Sequence, residues 1–202
     1  MHTIINVGRS FGSGGGYVAK AIGARLGIPV YDNELISKAA EESGYSRDVF
    51  HEAEKKPSLF SMSSFFASGR LSYGDTGYVN DNILFEIQSD VIRSIAEKGD
   101  AIIVGRCSDY ILRDKKCLDV FVCAPADFRI KRLMENEHLD ADEAETLMRR
   151  KDRTRETYYN YYTFGAWGVA SNYDLCVDSS ILGIEGTAEF IIDFGRRAGL
   201  IR

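Results

Sequence analysis

Ile4-Ile5-Asn6-Val7-Gly8-Arg9-Ser10-Phe11-Gly12-Ser13-Gly14-Gly15-Gly16-Tyr17-Val18-Ala19-Lys20 reads as a short apolar strand, a glycine-rich loop and the first turns of a helix, in that order. Glycines let backbone N–H groups and a helix N-terminus come close to an anion, which is how nucleotide-binding loops hold phosphate. The Gly12 to Gly16 run is expensive in backbone entropy, and close approach to an anion is the usual compensation. The lysine of the G-x-x-x-x-G-K-[ST] pattern is absent. The loop therefore points to nucleotide handling and leaves phosphoryl transfer in question.

Outward from the loop, apolar β-branched runs at Thr3 to Val7, Ala101 to Gly105, Leu118 to Cys123 and Tyr173 to Val177 predict buried parallel strands, with a shorter one at Ile28 to Tyr31. Helical patterns separate them at Tyr17 to Leu26, Asn33 to Glu42, Ile83 to Lys98, Ala126 to Glu135, Asp140 to Thr157 and Ile184 to Arg197. Strands alternating with helices predict an α/β fold on a parallel sheet, with ligands at the carboxyl ends of the strands. Pro57 to Asp81 reads as a long insertion and Tyr158 to Asn172 as an irregular, aromatic-rich stretch.

The chain has 202 residues, 45% hydrophobic and 27% charged, which suits one domain with an inserted lid and a sizeable core. A net charge of −5 argues against a general nucleic-acid surface. Cys107, Cys117, Cys123 and Cys176 form no C-x-x-C pair, so reduced thiols are expected, with no metal site. No segment has the length and apolarity of a membrane span or the pattern of a leader, so a cytoplasmic location without membrane association is expected.

The glycine spacing allows more than one reading. Gly8-x-x-x-Gly12-x-Gly14 also fits the dinucleotide loop of short-chain dehydrogenases, with Asp32 placed to hold a ribose hydroxyl. An NAD(P)-dependent enzyme of that kind also needs a Tyr-x-x-x-Lys pair, which the chain does not offer. The other readings are a loop of the nucleoside monophosphate kinase type, in which Gly12, Ser13, Gly14, Gly15 and Gly16 cradle phosphate, and a glycine-rich turn that only packs a helix close to a sheet.

Four stretches carry a resemblance across nearly the whole chain: Gly8 to Ala19, Ile28-Pro29-Val30-Tyr31-Asp32, Ile102-Ile103-Val104-Gly105-Arg106 and Asp152-Arg153-Thr154-Arg155. Asn172-Tyr173-Asp174-Leu175 supports them. Together they resemble the cytidylate kinase-like proteins. The resemblance implies a P-loop NTPase-like three-layer α/β/α domain over residues 1–202, built on a parallel five-stranded sheet with a helical insertion at 45–82 and a lid at 136–172. It also implies transfer of the γ-phosphoryl of ATP, with Mg²⁺, to a CMP- or dCMP-like nucleoside monophosphate or a related small acceptor. Oligomeric state is left open.

In that frame Asp32, Arg106 and Asp152 bind the acceptor, while Arg106 and Arg155 meet phosphate. Gly12 to Gly16 hold the donor phosphates, with Arg150 as a further contact. Each residue has a plainer alternative: Asp32 as a helix cap, the basic run Arg149 to Arg155 as the dipole-matched end of a helix, and the aromatics from Tyr158 to Trp167 as packing. Arg129 and Arg132 share one helix face and read equally as nucleotide support or a solvated face.

Gly15 occupies the lysine position, Gly16 and Tyr17 stand where Gly-Thr would follow, so the metal-binding hydroxyl is lost unless Ser13 or Ser10 replaces it, and Cys107 stands where the family has Asp. Losing one preorganised charged contact costs on the order of 3 kcal/mol of transition-state stabilisation. Arg9, at the loop entry, is the candidate substitute cation. An alternative within the same fold is a nucleotide- or anion-binding protein that has lost transfer.

Overall fold

The computed structural model describes residues 2–32, 35–36 and 77–202. Five short strands, β1 (Ile4–Arg9), β2 (Val30–Tyr31), β3 (Ala101–Val104), β4 (Leu118–Cys123) and β5 (Leu175–Asp178), form one sheet in the order β2-β3-β1-β4-β5. All pairings are parallel, with Val7 opposite Val104 on one side of β1 and Arg9 opposite Val122 on the other. Apolar runs without alternation are what such a sheet requires, because both of its faces are covered.

Side-chain alternation along the strands divides the core in two. Ile5, Val7, Ile102, Val104, Val120 and Val122 face α1 (Gly15–Leu26) and α6 (Ser179–Arg197), packing on Val18, Ile22 and Ile191. Ile4, Ala101 and Ile103 face α2 (Gly77–Lys98) and α3 (Ser108–Ile111), packing on Ile87, Val91, Ile92 and Ile111. The result is the expected three-layer α/β/α arrangement.

A third, smaller cluster of Leu133, Ala144 and Met148 joins α4 (Ala126–Glu137) to α5 (Ala141–Thr163), and Phe11 of the glycine-rich loop packs against it. Asp140 caps α5 through a reciprocal bond pair with Glu143: its carboxylate accepts the Glu143 N–H at 2.8 Å, and the Glu143 carboxylate accepts the Asp140 N–H at 3.2 Å.

Several sequence expectations shift. The helix begun near Asp140 does not end at Thr157 but continues to Thr163, so the first six residues of the aromatic stretch are helical, and only Phe164 onward is irregular before a 3₁₀ turn at Ala170–Asn172. Its aromatic side chains keep the helix going because they have packing partners. Tyr162 stacks on Phe85 of α2 at 3.9 Å between ring centroids, and Tyr158 meets the same ring edge-on at 6.2 Å. The fourth run starts its strand at Leu175 rather than Tyr173. Helix α2 begins at Gly77 instead of Ile83, while the rest of the expected insertion, and most of the helix expected from Asn33 to Glu42, lie outside the described residues.

The dehydrogenase reading is not sustained. A doubly wound dinucleotide fold runs 3-2-1-4-5-6, with the strand after the first helix adjacent to β1. Here β3 lies between β1 and β2. No helix of the described residues is long and apolar enough to cross a membrane.

Candidate functional site

Strand β1 ends at Arg9, and the chain turns through Ser10 to Gly14 before α1 starts at Gly15, with Gly14 at the N-cap in the left-handed conformation (φ 81°). Hydrogen bonds within the loop and from its neighbours hold it in shape. The buried Ser13 hydroxyl donates to the carbonyls of Ser10 at 2.9 Å and Val122 at 3.0 Å. From the start of α6 the buried Ser179 hydroxyl donates to the Ser13 carbonyl and, at 3.2 Å, to that of Cys123. Ser13 therefore spends its hydroxyl on the backbone, which explains why a serine sits among the glycines.

Helix α5 grips the loop from the other side. Asp152, Arg155 and Tyr159 recur at helical spacing and face inward. The Asp152 carboxylate accepts the Phe11 N–H at 2.7 Å and pairs with the Arg129 guanidinium of α4. Arg129 also donates to the Phe11 carbonyl at 3.1 Å, so both polar groups of one loop residue are tied down. Arg155 donates to the Arg9 carbonyl at 3.1 Å and lies over the Phe11 ring at 5.2 Å. One turn on, the Tyr159 hydroxyl donates to Asp109 of α3 at 2.7 Å.

Three of the sequence-predicted cations converge. The Arg9 guanidinium is within electrostatic range of Arg155 and Arg106, with Asp32 as the opposing charge. Burial pushes its pKa down, Arg155 and Arg106 push it further, and Asp32 pulls it back. Burial likewise brings Arg155 down to about 10, against the pull of Asp152 and with Arg129 adding to the shift. Like charges brought this close repel one another, and a phosphate among them would offset that repulsion.

Arg106 is held in an uncommon conformation. Gly105, Arg106 and Cys107 follow β3 with φ of 78°, 58° and 55°, and left-handed non-glycine residues cost about 1–2 kcal/mol each. The turn points the Arg106 guanidinium over the Tyr158 ring, 5.6 Å from its centroid. Cys107 is buried, and burial drives its thiol pKa up, so it adds no thiolate near the site. Asp32 caps the next helical turn, its carboxylate accepting the Leu35 N–H at 3.1 Å. It thus does what the plainer reading expects while also standing in the field of Arg9.

Arg150 is exposed, on the side of α5 away from Asp152. Two cations that sequence reasoning left undecided sit at the loop instead. The Arg132 guanidinium fills the space where a side chain at Gly14 would lie, and one of its nitrogens is buried without a hydrogen-bond partner among the described residues. The Arg129 Nε is buried in the same condition. Their shared helix face was legible from the i, i+3 spacing, but which way that face points was not. Ser179 carried no sequence signal. Of the aromatics, Tyr158 and Tyr162 pack on Phe85 and Trp167 on Phe121, whereas Phe164 is 92% exposed.

A parallel sheet of this order, with a glycine-rich loop between its central strand and first helix and cations gathered on that loop, defines a P-loop kinase-type fold. Within that class the chain belongs to the cytidylate kinase-like family, which it matches over residues 4–181. It is 26% identical over 116 residues to a cytidylate kinase of Sulfolobus acidocaldarius, covering 57% of this chain and 63% of that protein. It is 23% identical over 191 residues to a cytidylate kinase of Methanopyrus kandleri, covering 89% and 86%. With several such relatives the match spans 56% to 63% of their length.

Among solved structures, an uncharacterized protein from Eubacterium ventriosum superposes with a TM-score of 0.76 at 29% identity, covering 98% of this chain and 99% of that one. A shikimate kinase from Bacteroides thetaiotaomicron gives a TM-score of 0.55 at 15% identity, covering 97% and 99%. That second likeness speaks to the fold alone.

Proposed function

We propose that this protein is an ATP-dependent phosphotransferase whose acceptor is a nucleoside monophosphate of the CMP or dCMP kind, or a related small phosphorylated molecule. The observation that carries the reading is the gathering of Arg9, Arg106 and Arg155 at the carboxyl ends of β1 and β3: Arg155 donates to the Arg9 carbonyl, and the Arg9 guanidinium lies against Gly105, the residue before Arg106. The phosphates of two substrates meeting there would pair with these guanidinium groups.

The donor side fits a phosphate chain on an independent ground. Buried N–H groups of Arg132 and Arg129 that have no hydrogen-bond partner among the described residues border the loop that caps α1, and a helix N-terminus favours an anion at that end. In the reaction an acceptor phosphate oxygen forms a bond to the γ-phosphorus while the bond from that phosphorus to the β–γ bridging oxygen breaks, leaving ADP. The chain's part is positioning and charge neutralisation, since such a transition state spreads negative charge over its outer oxygens. Arg106 and Arg155 orient the acceptor and the transferred group, Arg132 the donor. Asp32 is the acceptor-side carboxylate, and Asp152 holds the loop in register. Mg²⁺ enters with ATP as part of that substrate.

A second reading, a nucleotide-binding protein without transfer, draws on two features. The Ser13 hydroxyl is committed to two carbonyls, and position 15 has no lysine. An ATP-consumption assay across CMP, dCMP, UMP and AMP, with thermal-shift binding of each nucleotide, separates the two. Turnover with any acceptor removes the binding-only reading. Nucleotide binding with no turnover removes the kinase.

A further inference from the structure

The lysine position of the glycine-rich loop is Gly15, yet the space beside it is filled. A Cβ on Gly15 would lie 2.5 Å from the Arg9 Cβ and 3.1 Å from its Cγ, well inside contact distance. The Arg9 side chain then continues across the end of the sheet to Gly105, where a Cβ would collide with its Nη1. Two glycines from two different loops therefore leave out a side chain at the points where Arg9 passes. The second has φ of 78°, a conformation that also favours glycine. Position 9 belongs to a strand, paired with Val122 of β4, so the backbone that launches this side chain is rigid.

We propose that Arg9 is the phosphate-binding cation of this loop, delivered from the strand instead of the helix, and that Gly15 and Gly105 are glycines because they form the slot it fills. The lysine is displaced rather than lost, because a residue-15 side chain and the Arg9 side chain need the same volume. The ligand chemistry is a phosphate chain: a planar guanidinium donates to two phosphate oxygens at once, whereas an ammonium acts as a point charge. The inference rests on the phosphotransferase reading for its substrate but not for its geometry.

Calorimetric binding of ATP and of inorganic tripolyphosphate, which lacks base and sugar, tests the slot. Wild type is expected to bind both. Arg9→Gln keeps the part of the side chain that lies beside Gly15 and removes the charge, and should weaken both by about a hundredfold. Arg9→Lys keeps the charge, folds in the same slot, and should lose about tenfold. Gly15→Ala leaves the charge untouched but pushes Arg9 out of place, and should weaken tripolyphosphate binding with a melting temperature still showing a folded protein.

The decisive variant is the exchange Arg9→Gly with Gly15→Lys, which should recover binding relative to Arg9→Gly alone. The proposal is overturned if wild type does not bind tripolyphosphate, if Arg9→Gln binds as wild type does, or if the exchange binds no better than Arg9→Gly. Absence of turnover with any acceptor, alongside loss of tripolyphosphate binding in Arg9→Gln, would sink the phosphotransferase reading and leave the slot standing. Turnover together with unchanged binding in Arg9→Gln would do the reverse.

Discussion

The Asp152 carboxylate on α5 accepts the backbone N–H of Phe11 at 2.7 Å, joining two residues 141 positions apart. Its other oxygen pairs with Arg129, which in turn holds the Phe11 carbonyl. The glycine-rich loop is therefore braced by the helix that carries Arg155, and the loop and that cation keep a common register.

Breaking the brace should be costly. Asp152→Ala leaves the largely buried Arg129 charge without its partner, and the expected loss of stability is about 3 kcal/mol. Asp152→Asn keeps an acceptor for the Phe11 N–H and should lose less. Urea denaturation of both variants measures the difference, and tripolyphosphate affinity should fall in the same order. Equal stability of Asp152→Ala and wild type would show that the pair contributes nothing.

A second brace lies one turn further along α5. Burial raises the pKa of Asp109, and the hydrogen bond from the Tyr159 hydroxyl lowers it. Tyr159→Phe removes that donor from a buried carboxylate and should cost about 2 kcal/mol at pH 8. The penalty should shrink at pH 5, because without the donor Asp109 takes up a proton more readily. Paired melting curves at the two pH values test this, and a pH-independent penalty would contradict it.

Asp119 predicts a pH dependence of its own. Burial raises its pKa to about 6, with the Asn6 amide opposing and Asp109 and Asp174 adding to the shift. An unfolded aspartate titrates near ~3.9, so the folded state holds the proton more tightly. That contribution to stability is present below about pH 4 and is lost as the pH rises through about 6. Asp119→Asn should raise the melting temperature at pH 7.5 and leave it little changed at pH 4. A constant difference across that window would refute the assignment.

Phe164 ends α5 in the left-handed conformation (φ 53°) while 92% exposed, so its ring gains little from packing. Phe164→Gly removes the backbone strain and should stabilise the protein by about 1 kcal/mol. Nucleotide affinity should not change. A drop in affinity would instead assign the exposed ring to base stacking.

The alternation of β-branched runs with helical patterns was enough to read an α/β parallel sheet, because both features are local and repeat with fixed periods. The glycine-rich loop was equally legible, since glycine density is a property of composition. Roles on helices were harder. Arg129, Arg132, Arg149, Arg150, Arg153 and Arg155 look alike in the sequence, yet Arg155 reaches the Arg9 carbonyl and Arg132 reaches Gly14, while Arg149 pairs with Glu145 on an exposed face. Helical spacing says which of them share a face, but the direction of that face depends on how α4 and α5 pack on Phe11.

Element order, the phosphate-loop-like turn and the missing lysine were thus determined by the sequence alone, through periodicity and residue type. Only the tertiary structure decided that Arg9 fills the space beside Gly15, that Arg9, Arg106 and Arg155 form one cluster, and that Ser13 serves the loop's own backbone. Each of these is a question of volume and proximity between segments far apart in the chain, and no local pattern encodes such distances.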